Sequence, residues 1–372
     1  MSEKIKVGVI GVGNMGERHC RVYSTLPHVQ LVGVSDLSES RGRQIQEKYE
    51  VQYFQDFKKL LQLVDVVSLA TTTPGHYPLG MECLRHGKHL LVEKPLALTV
   101  QQAQELVATA HAENLLLMVG HIERYNPAFK ELQSLLASHQ SEEPVAMNIR
   151  RLSPFDGSQT DVDVVSDLMI HDLDMVLKMT GRVPDAIETF GRSVFTKTVD
   201  HAVATLYYKD GPVVTLTASR VTQQKIRAIE VTTSESYIET DLLHKNLSIH
   251  RRFVPHYSNR GNPSYRQEDF IERIFVPSTE PLQLELADFI QSIRKSTTPQ
   301  VSGSDGLAAL VLALEIRRKI EEKLGETSET EQIPLVADEA WRKITIHSTP
   351  VLPMGFHHQN AATRLPSLIS NK

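Results

Sequence analysis

Three glycines open the chemistry of this chain. Gly11-Val-Gly13-Asn14-Met15-Gly16 has G-x-G-x-x-G spacing, directly after the apolar run Lys6–Ile10 and ahead of a helical pattern. Such a loop turns tightly, lets backbone approach a pyrophosphate, and aims a helix N-terminus at the anion. Asp36 stands twenty residues past Gly16, at the end of the next apolar run. A carboxylate there accepts from a free ribose 2′-hydroxyl and repels a 2′-phosphate, so NAD is favoured over NADP. Arg41 and Arg43 follow closely. Either could neutralise a phosphate, or both could lie on a solvated helix face.

Two further groups carry reactive side chains. Thr71 to His76, with Pro74 between them, and Glu93-Lys94-Pro95 both follow apolar runs. That position is the carboxyl edge of an open α/β sheet, where ligands bind. On one helix, Asp167 and His171 are i and i+4, with Asp174 at i+7, so all three share a face. A carboxylate beside an imidazole suits an acid–base pair. The same spacing also suits a surface ion pair or chelation. No second His-x-x-x-His and no Cys cluster accompanies it, so no metal is expected. For an anionic substrate, Arg124, Arg151, Arg220, Lys225 and Arg227 are candidate clamps. Arg124, beside Asn126 and just after the run Leu115–Val119, is the favoured one.

The elements that must position these residues come in two textures. Up to Gly120, short apolar runs alternate with amphipathic stretches. This pattern predicts a doubly wound Rossmann domain with parallel strands over residues 1–120. From 121 to 325 helices over Pro127–Leu136 and Val164–Thr180 precede strands that follow one another through tight turns, and two helices close the stretch. That predicts an α+β domain with an open, mostly antiparallel sheet. Residues 326–372 read as an extended or partly disordered tail, with Ala337–Ile346 and Trp341 as a segment able to dock on the body. In the strand His201–Tyr208 and the one after it, the face opposite the core carries Val203, Thr205, Tyr207, Val213, Thr215 and Thr217. A face so poor in charge predicts a symmetric contact in a homodimer or homotetramer.

Composition narrows the functional classes. The 372 residues are 41% hydrophobic and 23% charged, which excludes wholesale disorder. A formal charge of −5 argues against nucleic acid or anionic lipid as the main partner. No apolar run approaches the roughly 18–20 residues of a membrane span. Two cysteines, Cys20 and Cys83, build no disulfide framework. A reduced, cytoplasmic protein is the expectation.

The glycine loop, the Thr71–His76 segment and Glu93-Lys94-Pro95 together resemble the glucose–fructose oxidoreductase / inositol dehydrogenase / MocA family. Gly120-His121-Ile-Glu-Arg124-Tyr-Asn126-Pro127, Arg151-Leu-Ser-Pro154-Phe155 and Asp167-Leu-Met-Ile-His171-Asp172 are similar to its UDP-N-acetylglucosamine 3-dehydrogenase-like branch. The resemblance implies Lys94 and His171 as catalytic groups with Asp167 beside them. It also implies a dinucleotide held by Gly11, Gly13, Asn14, Met15, Gly16, Asp36, Thr71, Pro74, His76, Glu93 and Lys94. The substrate, a nucleotide-linked amino sugar, would meet Arg124, Asn126, Asp167 and His171. Other activities of the family are oxidation of inositol or a free sugar, a related reduction, and dinucleotide sensing without turnover. Where many members carry Gly-Gly before the Asp-x-x-x-His element, this chain has Asp161-Val-Asp-Val-Val-Ser166.

Overall fold

A computed structural model describes residues 4–138, 143–157, 161–251, 270–325 and 352. The proposed tail and its docking segment lie outside these residues, apart from Leu352. Its N–H donates to Met179 O at 3.0 Å.

The first half runs β1 Ile5–Ile10, α1 Asn14–Tyr23, β2 Val29–Ser35, α2 Glu39–Tyr49, β3 Gln52–Phe54, α3 Phe57–Leu61, β4 Val66–Leu69, α4 Thr73–Arg85, β5 His89–Glu93, α5 Val100–Ala112 and β6 Leu117–Gly120. Six parallel strands form one sheet in the order β3-β2-β1-β4-β5-β6. The chain moves outward from β1 to β3, then returns to add β4 on the other side. A crevice therefore opens beyond the carboxyl ends of β1 and β4, where the Gly11 and Thr71 loops emerge. β4 and β6 are buried throughout, as parallel strands covered on both faces must be.

A 3₁₀ turn, Ile122–Tyr125, and α6, Pro127–Ala137, lead into β7, Ala146–Leu152. A π-helical turn, Val165–Met169, then runs into α7, Ile170–Thr180. There follow β8 Ala186–Arg192, β9 His201–Tyr207, β10 Val213–Ser219, β11 Ile226–Thr232, β12 Ser236–Asp241, β13 Asn246–Arg251 and β14 Phe270–Ile274, with α8 Pro281–Lys295 and α9 Gly303–Leu324 last. The eight strands order as β14-β13-β12-β11-β7-β10-β9-β8. β7 and β10 run parallel and every other neighbouring pair is antiparallel. One face, with Met147, Ile149, Ala204, Leu206 and Leu216, packs beneath α6, α7 and α9. On the opposite face Thr215 lies across from Thr205 and Asn148, and Tyr207 and Val213 are exposed.

Two features join the sheets. α9 has Gly303 and Gly306 so close to β6 that an added Cβ would stand 2.7 Å from Leu117 and 2.4 Å from Val119. Further along, Ala309, Leu312, Ile316 and Ile320 of this helix enter the second core. α8, grouped with the second unit by chain position, instead packs Leu282, Leu286 and Phe289 into the first core. The second feature is a buried ion cluster. Arg124 makes a two-bond pair with Asp174, 2.7 Å at both contacts, and reaches Asp305 at 3.5 Å and Gln300 O at 3.3 Å. It thereby ties the turn after β6 to α7 and α9. Among the described residues no helix is long and apolar enough to cross a membrane.

Removing one member of such a pair strands a buried charge. Asp174→Ala should cost about 3–5 kcal/mol of stability. Denaturant unfolding measures it, and a loss under about 1 kcal/mol, the range of an exposed pair, would show that the cluster is not the joint described.

Candidate active site

Gly11 adopts φ +83°, and a Cβ there would lie 2.7 Å from Thr71 Cγ2. At Gly16 a Cβ would come within 1.8 Å of Gly11 O, so α1 starts directly on the loop. Gly13 faces open space, with nothing within 4 Å of where its Cβ would be. The loop is thus shut towards the sheet and open above the start of α1, whose first turn has no side-chain cap. This cradle fits a dinucleotide pyrophosphate. Asn14 is exposed and Met15 half-buried at its rim. Asp36 accepts from Val12 N at 2.7 Å and Ser38 N at 2.8 Å, which aims its carboxylate at the loop. Arg41 is not a free surface cation. Its guanidinium donates to Val12 O at 2.8 Å, to Gln44 and to Glu17. Arg43 pairs with Glu39 on the solvated face of α2.

Beyond β5 the Lys94–Pro95 peptide is cis. Lys94 Nζ donates to both the backbone oxygen and Oδ1 of Asp167, at 2.8 Å each. The π turn makes this double contact available. Ile170 N–H bonds back five residues to Val165 O, and the carbonyl of Asp167 accepts from lysine. The extra residue in the turn also moves Asp167 off the stripe of His171. The expected Asp167–His171 pair is therefore corrected: the carboxylate serves Lys94, and Asp172 turns to Arg151, whose Nε and Nη2 stand 2.9 and 2.7 Å from Oδ1. His171 Nδ1 is buried with no partner among the described residues, and its ring stands edge-to-face with His121 at 6.2 Å. Burial first, then the charges of Lys94, Arg151 and His121, drive the His171 imidazole well below its ordinary 6.5.

Glu93 is also largely buried. Its Oε1 meets His19 Nε2 at 3.1 Å, and His19 Nδ1 meets Ser68 Oγ at 2.6 Å. Burial raises the Glu93 carboxyl, but the hydrogen bond and charge of His19 and the charge of Lys94 outweigh it and hold the group below the carboxylate norm. Nearby Glu285 is fully buried, neither of its oxygens has a hydrogen-bond partner among the described residues, and burial followed by repulsion from Glu93, Asp174 and Asp288 holds its carboxyl well above the norm.

Three expectations about binding residues change. Arg124, 4% exposed and committed to Asp174 and Asp305, has no donor pattern left for a phosphate. Asn126 caps α6 by accepting from Ala128 N and donates to Glu123 and Leu242 O, so it too is structural. His76 is buried, its two nitrogens 2.8 Å from Pro95 O and 3.1 Å from Thr71 O. Its single N–H can donate to one of these carbonyls, tying the β4 loop to the lysine turn, and burial takes the ring out of reach of a cofactor. Pro74 sits in the first turn of α4. Of the other cations, Arg151 is buried against Asp172 and Glu123, and Arg220 is buried beside Asp200. Lys225 is exposed and Arg227 is partly so, 3.6 Å from Glu123. His19, His121 and Glu285 escaped the sequence reading because a lone polar residue in an apolar pattern has no periodic signature.

Comparison with known proteins agrees with this geometry. Residues 5–121 match the oxidoreductase family with an NAD-binding Rossmann fold, and residues 129–239 match the GFO/IDH/MocA C-terminal domain. UDP-N-acetylglucosamine 3-dehydrogenase of Acidithiobacillus ferrooxidans is 32% identical over 85% of this chain and 97% of its own. Its solved structure superposes with a TM-score of 0.78 at 30% identity, covering 86% of this chain and 99% of that one. Myo-inositol 2-dehydrogenase of Thermotoga maritima is 26% identical over 86% of this chain and 97% of its own. The chain belongs to the glucose–fructose oxidoreductase / inositol dehydrogenase / MocA oxidoreductase family.

The contact between Gly16 and Gly11 yields a direct test. Gly16→Ala must push the helix off the loop, so NAD affinity measured by calorimetry should fall at least tenfold, about 1.4 kcal/mol. Unchanged affinity would place the pyrophosphate elsewhere.

Proposed function

We propose that this oxidoreductase is an NAD-dependent dehydrogenase that oxidises a secondary hydroxyl of a sugar, with a UDP-linked amino sugar as the favoured substrate class. The observation that carries the reading is the double contact of Lys94 Nζ with Asp167, one helical turn before His171, at the sheet edge bearing the glycine cradle. The dinucleotide, when bound, supplies the nicotinamide that accepts hydride from the carbinol carbon. His171, neutral because its protonated form is penalised by burial and by Lys94 and Arg151, takes the hydroxyl proton. Lys94, oriented by Asp167, directs its ammonium at the substrate oxygen and stabilises the charge that develops there. Asp36 and the engagement of Arg41 with Glu17 support NAD over NADP. Lys225 and Arg227 replace Arg124 as the candidate contacts for substrate phosphate.

The 32% identity to a UDP-N-acetylglucosamine 3-dehydrogenase supports the substrate class. The inositol dehydrogenase relative makes a cyclitol the competing outcome. Turnover of UDP-sugars, free sugars and inositols, each with NAD and NADP, separates them. Equal rates on N-acetylglucosamine and its UDP derivative would remove the nucleotide requirement. Lys94→Met and His171→Ala should each lower kcat by about 10²–10⁴ with NAD affinity nearly unchanged, and near-native turnover would withdraw that residue's role. The base must be unprotonated to act, and its proton affinity is depressed. On lowering pH, kcat/KM should therefore hold through 6.5 and decline only below it. A decline beginning above 6.5 would assign the base to another group.

The Val203, Thr205, Thr215 and Thr217 face supports a symmetric homo-oligomer. Light scattering should report a multiple of 41.8 kDa, and Thr215→Arg should shift it towards one chain. A monomeric wild type rejects this assembly.

A further inference from the structure

Glu17 directly follows Gly16 and lies in the first turn of α1. A carboxylate there competes with the cofactor pyrophosphate for the same helix N-terminus, so binding the dinucleotide does not account for it. Both of its oxygens are engaged from α2. Oε2 accepts from Arg41 Nη2, and Oε1 accepts from Lys48 Nζ at 2.6 Å. Arg41, Gln44 and Lys48 are i, i+3 and i+7 on that helix, so one face of α2 presents both cations to this one acid. The hydrogen bond from Lys48, then that from Arg41, hold the Glu17 carboxyl below its ordinary range.

Arg41 stands where NAD and NADP differ. Its Nε donates to Val12 O at 2.8 Å, while Val12 N donates to Asp36 Oδ2 at 2.7 Å. Guanidinium and carboxylate are thus fixed to the two ends of a single residue of the glycine loop. An arginine near the acid at the end of β2 is a usual means of accommodating a 2′-phosphate. Left free, this guanidinium would offer the phosphate charge-assisted hydrogen bonds and offset the repulsion of Asp36. Instead Nη2 is engaged by Glu17, Nη1 by Gln44 at 2.6 Å and Nε by the loop. We propose that Glu17 is the specificity-determining residue of the cofactor site, an acid that selects NAD by withholding Arg41 from the 2′ position. Lys48, on the other oxygen, keeps the carboxylate turned towards α2. This rests on the reading of Asp36 as the partner of the NAD ribose, and adds that Asp36 alone is not sufficient.

Selectivity and stability separate at this pair. The Glu17 and Arg41 side chains are each 25% exposed, and a pair so placed adds little to folding, so its removal leaves the fold intact. Arg43, the other cation close to the end of β2, is paired with Glu39 within α2 and is not released by a change at Glu17. The cation that Glu17 controls at the ribose is therefore Arg41.

Calorimetry of NAD and of NADP on the full chain reads the selectivity without a substrate. In Glu17→Ala the ratio of the NADP to the NAD dissociation constant should fall about tenfold, the worth of one charge-assisted hydrogen bond gained by the 2′-phosphate. The fall should vanish when Arg41→Gln is made as well. Glutamine places an amide nitrogen where Nε stood, so it can still donate to Val12 O, but it brings no charge to a phosphate. A ratio unchanged in Glu17→Ala overturns the proposal, including the case in which both cofactors tighten equally, as relief of repulsion at the pyrophosphate alone would give. A fall of the same size without Arg41 also overturns it, because Glu17 then acts on the phosphate directly as a like charge. If the wild type itself binds NADP more tightly than NAD, the NAD reading fails and this proposal with it. A wild type that favours NAD, beside an unchanged ratio in Glu17→Ala, defeats this proposal alone.

Discussion

Lys94 must bring one ammonium group to two oxygens of Asp167, and most of the architecture can be understood from that requirement. The lysine ends a parallel strand of the first sheet, and the aspartate lies on a helix of the second. A contact of 2.8 Å across that junction tolerates little movement. α9 crosses from one core to the other on Gly303 and Gly306, and Arg124 is clamped between Asp174 and Asp305. A π turn then bonds backbone across five residues and leaves the Asp167 carbonyl facing the lysine. π turns recur at functional sites because they change the stripe a side chain occupies and free a backbone group.

Charge is distributed to match. The chain is acidic overall, with forty-five acidic residues against forty basic ones, yet the charges on His171 come from Lys94 and Arg151. Those cations are partnered by Asp167, Asp172 and Glu123, so each is held in place rather than solvated. In a low-dielectric interior such fixed charges act on an imidazole more strongly than the net charge does. Beside Lys94, His19 holds the Glu93 carboxyl below the carboxylate norm, whereas burial and the charge of Glu93 hold Glu285 well above it. Two carboxyls in one buried region are driven apart in proton affinity, as like charges taken out of water must be.

The parallel sheet, the helices between its strands and the glycine cradle were legible in the sequence. Each leaves a local periodic or spacing signal: buried runs, amphipathic turns, three glycines and a carboxylate twenty residues on. The strands from β9 to β13 were legible for the same reason, as were the two helices that close the stretch. β7 was not recognised. Its Arg150-Arg151 pair breaks the apolar pattern, although Arg151 is buried against Asp172 and Glu123 in the middle of the sheet.

The sequence by itself determined which residues stand at the carboxyl edge of the first sheet, because strand ends follow from local pattern. Only the tertiary structure decided which of them meet. Asp167 and His171 have the spacing of an α-helical pair, and a one-residue π insertion sent the carboxylate to Lys94. Arg124 has the position of a phosphate clamp, and two aspartates fifty and 181 residues away took its donors. A charged side chain pairs with whichever opposite charge the fold brings within about 4 Å in a dry interior. That partner is set by long-range packing, on which neighbouring residues in the chain carry no information.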